Sequence, residues 1–183
     1  MRHDFHVSED EYLEGEEESA IRHEYLNGVV YGMAGGTRAH ATIAGNVFGR
    51  LFIALSGKKC RPYSEAMRLR LQRGDDLRFY YPDAMVVCTR SASEVWEDAP
   101  SVVVEVLSES TERTDLGEKR DAYFAIPSLE VYLAVDSRRM EVTIYRRAGD
   151  TWKTEFARLG TDILDLPGIG CALTLAEIYE GAL

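Results

Sequence analysis

The chain has 183 residues, 45% of them hydrophobic, which suffices for one domain with a real core and excludes wholesale disorder. Its formal net charge is −10, which on its face argues against a nucleic-acid partner, since phosphate binding is driven by cations. No apolar run approaches the roughly 20 residues that a membrane helix needs, and the acidic N-terminal stretch has no apolar signal core to mark it for export.

The charge is segregated. Residues 1–24 hold nine acids and two bases, whereas Lys58–Arg78 holds seven bases against three acids, so the total says little about any one surface. Cys60, Cys88 and Cys171 are scattered and odd in number. They read as neither a disulfide framework nor a zinc site, with a reducing cytoplasm as the simplest setting.

In chain order, Ser8-Glu9-Asp10-Glu11 predicts a capping box opening a short helix, and the acid run Glu14–Glu18 reads as its solvated end. Asn27-Gly28 between Arg-His-Glu-Tyr-Leu and Val-Val-Tyr-Gly-Met predicts a hairpin over 21–33. Glu24 alone reads as an ordinary exposed strand residue. The glycine-rich stretch 32–36 lacks the lysine and spacing of a phosphate-binding loop and reads as a flexible connection. Thr37 predicts the start of a helix to about Leu55, with Ile43, Val47, Leu51 and Leu55 as its apolar stripe. His40 stands on the edge of that stripe, with a satisfied first-turn residue and a functional one as equal readings.

Met67-Arg68-Leu69-Arg70-Leu71 alternates with period two, placing both arginines on one face of a half-buried strand, solvated or turned toward phosphate. A turn follows at Gly74. Ala84–Cys88 and Val102–Leu107 are apolar on both faces, as in strands covered on both sides of a sheet. Asp83 and Glu105 are acids within these runs, and a buried carboxylate is costly unless paired or metal-bound. If the runs pair as a hairpin about the polar segment 89–100, the two acids fall nearly opposite each other, roughly 4.5–5.5 Å apart on a shared face. A helical turn near Ser93–Glu97 is the feature that could disturb this register.

Thr114 or Asp115 is expected to cap a second helix, supported by Glu118. Leu116, Lys119, Tyr123 and Ile126 share its inner face, so Lys119 points toward the sheet; a snorkelling surface lysine is the alternative. Another hairpin is predicted over Glu130–Val135 and Glu141–Arg147, a strand near Trp152–Leu159, a turn at Pro167-Gly168, and a short helix from Thr174.

Taken together, Glu24-Tyr-Leu-Asn-Gly, His40 opening a helix, Tyr-Pro-Asp83, Val-Val-Val-Glu105-Val-Leu-Ser, Asp115-Leu-Gly-Glu-Lys119 and Tyr123 resemble the Uma-two family of restriction-endonuclease-like proteins. The resemblance spans Val7 to Ile178. It implies a single PD-(D/E)XK endonuclease-like domain over 1–183, with an α/β fold in which a mixed central sheet is flanked by helices, plus an N-terminal hairpin and C-terminal strands. Carried over, Asp83 is the family's aspartate, Glu105 its second acid, Glu24 an N-terminal acid and His40 a family histidine. The parent pattern places a lysine two residues after the second acid, where this chain has Leu107; the implied replacement is Lys119 on the next helix.

The implied activity is DNA cleavage by a cytoplasmic homodimer. Asp83, Glu105 and the Val106 carbonyl would hold Mg²⁺ or Mn²⁺. Lys119 would position or help deprotonate the attacking water, or neutralise phosphate charge. A second reading is a nuclease-fold module that binds nucleic acid or a protein partner without catalysis, and a third is a small-substrate hydrolase using the same acids.

Overall fold

The computed structural model describes residues 6–33 and 35–183. Helix α1 (Glu9–Glu18) opens on the expected capping box: the Glu11 N–H donates to Ser8 Oγ, and the Ser8 N–H donates to the Glu11 carboxylate. Strands β1 (His23–Leu26) and β2 (Val29–Gly32) form the expected hairpin. Asn27 at φ 49° and Gly28 at φ 92° supply the left-handed pair that its two-residue turn demands. Helix α2 (Arg38–Ala54) begins where Thr37 Oγ1 accepts the His40 N–H.

Two sheets follow. The hairpin joins β5 (Asp76–Tyr80), β4 (Arg68–Arg73) and β7 (Trp96–Glu97) in a five-stranded sheet of order β2-β1-β5-β4-β7. The second sheet contains β3 (Arg61–Ser64), β6 (Ala84–Val87), β8 (Pro100–Leu107), β9 (Val131–Asp136), β10 (Val142–Ala148) and β11 (Thr151–Ala157). Its order is β11-β10-β9-β8-β6-β3, with β8 and β9 parallel and the other ladders antiparallel. This is the mixed sheet that the sequence led us to expect.

Strands β6 and β8 are buried on both faces, as their apolar runs require. One face packs Val102, Val104 and Val106 against Ile43, Val47 and Leu51 of α2. The other packs Met85, Val103 and Leu107 against Leu69 and Tyr80 of the five-stranded sheet and against Tyr123. Tyr12, Tyr25 and Phe79 form a smaller cluster that fastens α1 to the five-stranded sheet. At the C-terminal end, β12 (Ile163–Leu166) and β13 (Cys171–Thr174) make a hairpin that the sequence did not announce, and Thr174 caps α5 (Leu175–Ile178) with a capping box.

Several expectations are corrected. The helix after β8 starts earlier than Thr114 or Asp115: α3 (Glu112–Thr114) runs through a π-helical turn (Asp115–Lys119) into α4 (Arg120–Phe124). The Thr111 and Glu112 N–H groups bond the Ser108 carbonyl, so nucleation occurs before the residues with the strongest capping chemistry. Ser93–Glu97 is not a helical turn; Trp96 and Glu97 pair in parallel with Arg68 and Leu69.

Arg68 and Arg70 are neither solvated nor free for phosphate. Arg68 Nε donates to the Tyr81 hydroxyl, and Arg70 makes a two-point contact with Glu9. Glu16, within the acid run read as solvated, has a side chain only 4% exposed.

The cysteine reading is also overturned. Cys60 and Cys88 form a disulfide. The β3–β6 ladder pairs Arg61 with Val87, and one step further the two cysteines face each other. Strand pairing between distant segments creates that proximity, so sequence spacing hides it. The cysteine argument for a reducing compartment therefore falls. Among the described residues, no helix is long and apolar enough to cross a membrane.

Candidate active site

The β6–β8 ladder pairs Ala84 with Val104, so the next step outward sets Asp83 against Glu105. Alternation along the strands puts both acids on the face that carries Met85, Val103 and Leu107. A register shift occurs between Val86 and Val87, at the other end of β6, and leaves this pairing undisturbed. The Val106 N–H donates to Asp83 Oδ2 at 2.7 Å, fixing the carboxylate at the strand end. His40 Nε2 lies 3.3 Å from the other oxygen, Oδ1, reaching it from the helix that covers the opposite face of the sheet.

Glu105 is 3% exposed. The Tyr123 O–H donates to its Oε1 at 2.6 Å, and Lys119 Nζ donates to the same oxygen at 3.3 Å. Lys119 is itself 7% exposed. Its ammonium also lies 2.7 Å from Glu24 Oε1 and 3.5 Å from Asp115 Oδ1, and 5.5 Å from the centre of the Tyr80 ring. The Glu24 contact has the length of a charge-assisted hydrogen bond, whereas the longer Asp115 contact is chiefly ionic. The Tyr132 O–H donates to the Asp115 carbonyl at 3.0 Å, tying the π-helical turn to β9.

Burial pushes the Glu105 and Asp115 carboxyls above their ordinary range, against the pull of Lys119. Burial alone would lower the Lys119 ammonium, but Glu105, Glu24 and Asp115 outweigh it and hold the amine well above its ordinary value. Lys119 is therefore a fixed positive charge near neutrality. Hydrogen bonding to Asp83 likewise raises His40, more than burial lowers it.

The donor set suits a hard cation in kind. Asp83, Glu105, Asp115 and Glu24 offer only carboxylate oxygens, of which those of Glu24 and Asp115 already face the Lys119 ammonium. Among the described residues, however, no group of three His, Cys, Asp or Glu side chains stands close enough to enclose a metal. The protein thus provides a facing pair of carboxylates, Asp83 and Glu105, which matches Mg²⁺, an ion that commonly takes one or two carboxylates and keeps its waters. Val106 meets this pair through its N–H, bonded to Asp83.

All five residues singled out from sequence lie in this region, in two connected sets. Glu24 and Glu105 meet at Lys119, while Asp83 and His40 form a neighbouring pair across the ladder from Glu105. The sequence reading missed Asp115, which it spent on helix capping. Asp115 is 2% exposed and stands four residues before Lys119, a spacing that already places the two on one helix face. It also missed that Tyr123, one turn after Lys119, bonds the second acid.

Known proteins resemble this chain in sequence and fold. The uncharacterized protein slr1290 of Synechocystis sp. is 31% identical to this chain over 177 residues that cover 96% of this chain and 92% of that relative. The uncharacterized protein sll1609 of the same organism is 28% identical over 144 residues, 76% of this chain and 80% of its own. A solved structure from Anabaena variabilis, described as "a putative nuclease belonging to DUF820", matches with a TM-score of 0.75. It covers 95% of this chain and 98% of its own at 18% identity, and so shows the shared fold. The sequence model of the Uma2 family, described as "Putative restriction endonuclease", matches residues 9–176, and the chain belongs to that family.

Proposed function

We propose that this chain is a metal-dependent endonuclease that hydrolyses DNA phosphodiester bonds. The observation that supports it best is the pairing of Asp83 with Glu105 on one sheet face, with Lys119 Nζ 3.3 Å from Glu105. Asp83 and Glu105 would hold Mg²⁺ or Mn²⁺. A divalent ion so held lowers the pKa of bound water and stabilises charge on phosphoryl oxygen.

The remaining work falls to the chain's own groups. The Val106 N–H and His40 orient Asp83, and Tyr123 orients Glu105. Lys119, held protonated by its carboxylate neighbours, would orient the attacking water and neutralise phosphate charge. Glu24 and Asp115 keep the ammonium in place. Cutting two strands calls for two sites, so we propose a homodimer as the acting form.

A second reading, binding without catalysis, is favoured by one observation. Lys119 is enclosed by three carboxylates, and Arg68, Arg70 and Arg78 are each tied to groups of this chain. Nicking of supercoiled plasmid in Mg²⁺ or Mn²⁺ separates the two. Catalysis predicts metal-dependent nicking by the wild type, lost in Asp83→Asn and Lys119→Met, and calorimetric Mn²⁺ binding lost in Asp83→Asn and Glu105→Gln. DNA binding without cleavage at any metal concentration selects the second reading.

A further inference from the structure

Behind the acids lies a second buried polar cluster, centred on Glu16. Its Oε1 is 2.6 Å from His23 Nδ1, and its Oε2 accepts the His23 backbone N–H at 3.2 Å and the Tyr81 O–H at 2.7 Å. The Tyr81 oxygen in turn accepts Arg68 Nε at 2.8 Å, and the Arg68 guanidinium lies 5.9 Å from the centre of the Tyr12 ring. The Tyr12 O–H donates to the His23 carbonyl at 2.7 Å.

The covalent neighbours of these partners matter. His23 immediately precedes Glu24, which contacts Lys119. Tyr81 lies two residues before Asp83, in the Tyr81-Pro82-Asp83 link that carries the chain from the five-stranded to the six-stranded sheet. One carboxylate therefore holds the His23 backbone and the Tyr81 side chain, each just upstream of an acid, and the two acids arise from different sheets.

A buried carboxylate is a costly way to fill space. An apolar side chain at this position would pack α1 as well, but would hold neither the His23 N–H nor the Tyr81 hydroxyl. We infer that Glu16, through Tyr81 and His23, is a positioning residue that sets Asp83 and Glu24 relative to each other. The inference rests on the reading that these acids form the active site. It places Glu16, taken from sequence as part of a solvated acid run, in the support of the site.

The test uses the full chain with Tyr81→Phe, Glu16→Gln and Glu16→Ala, and Glu17→Gln on the exposed side of the same helix as control. Tyr81→Phe keeps the ring and loses the hydroxyl's bond to Glu16 together with the one it accepts from Arg68. Two NMR signals report acid positions without any need for cleavage: the Val106 amide, bonded to Asp83, and the Lys119 ammonium, paired with Glu24. Tyr81→Phe should move the Val106 signal, and both Glu16 variants should move both signals, with Glu16→Gln milder than Glu16→Ala and Glu17→Gln like wild type.

In plasmid cleavage, Tyr81→Phe should lower kcat by about tenfold or more, since misplacement by an ångström costs on the order of a hundredfold, while KM stays within about twofold. Unmoved Val106 and Lys119 signals in folded Tyr81→Phe and Glu16→Ala overturn the inference whatever the activity. Signals that move in the variants, together with a wild type that neither cleaves DNA nor binds Mn²⁺, support the positioning role and sink the nuclease reading instead.

Discussion

The Lys119 ammonium lies closer to Glu24, at 2.7 Å, than to Glu105 at 3.3 Å or Asp115 at 3.5 Å. The amine that the resemblance assigns to chemistry is thus shared between the N-terminal hairpin and the central strand. Its removal should be felt first as a loss of stability.

Lys119→Met should destabilise the fold by roughly 3–5 kcal/mol at pH 7, the usual cost of stripping the partner from buried charges. The loss should shrink on acidification. Glu105 and Asp115 have folded pKa values above their unfolded ones, so the folded chain binds those protons more tightly. Stability contributed by protonation is present in acid and fades as pH rises from the unfolded value through the raised folded one. Urea unfolding of variant and wild type at pH 5 and pH 7 measures the difference; an equal gap at both would contradict this account.

Tyr123→Phe deletes the 2.6 Å hydrogen bond to Glu105 and leaves the ring's packing against Tyr80 and Tyr132 intact. A bond to a charged acceptor in a dry site contributes about 1.5–3 kcal/mol, and the variant should lose that much in denaturant titration. An unchanged midpoint would mean that another donor takes over the Glu105 oxygen.

The His40–Asp83 pair should make stability depend on pH in the opposite direction from a depressed carboxylate. His40 has a raised folded pKa, so its contribution is complete below the unfolded value of 6.5 and is lost as pH climbs through the folded value. The stability gap between wild type and His40→Gln should therefore be larger at pH 5.5 than at pH 8.5. Thermal melts at the two pH values decide it.

The Cys60–Cys88 bond predicts one reactive thiol per unfolded, unreduced chain, that of Cys171, and three after reduction. The bond closes a loop with a sequence separation of 28, for which chain-entropy arguments give about 3.6 kcal/mol. Thiol counting by mass spectrometry checks the first statement. Denaturation of Cys60→Ser/Cys88→Ser against the oxidised wild type checks the second.

What the sequence disclosed was what local chemistry dictates. Asn27-Gly28 announced its hairpin, Thr37 and a four-residue apolar repeat announced α2, and two apolar runs about a polar segment placed Asp83 across from Glu105. What it concealed depends on which distant segments meet. Asp115 became a core charge only because the helix starts early enough to put it on the inner face beside Lys119. Glu16 looks like its acidic neighbours until Tyr81 and His23 are brought to it, and Cys60 meets Cys88 only through the β3–β6 register.

The π-helical turn at Asp115–Lys119 makes the place of the amine depend on the pitch of a helix. A lysine mounted on a strand is lost only by changing the residue, whereas this one can also be lost by changing the count. Shortening α3 ahead of that turn by one residue, at Arg113 for instance, would shift the helical phase by about 100°. It would leave every functional side chain in the gene and swing the amine out of reach of Glu24. Single-residue deletions, usually assigned to loops, are here a route by which relatives of this protein could fall silent.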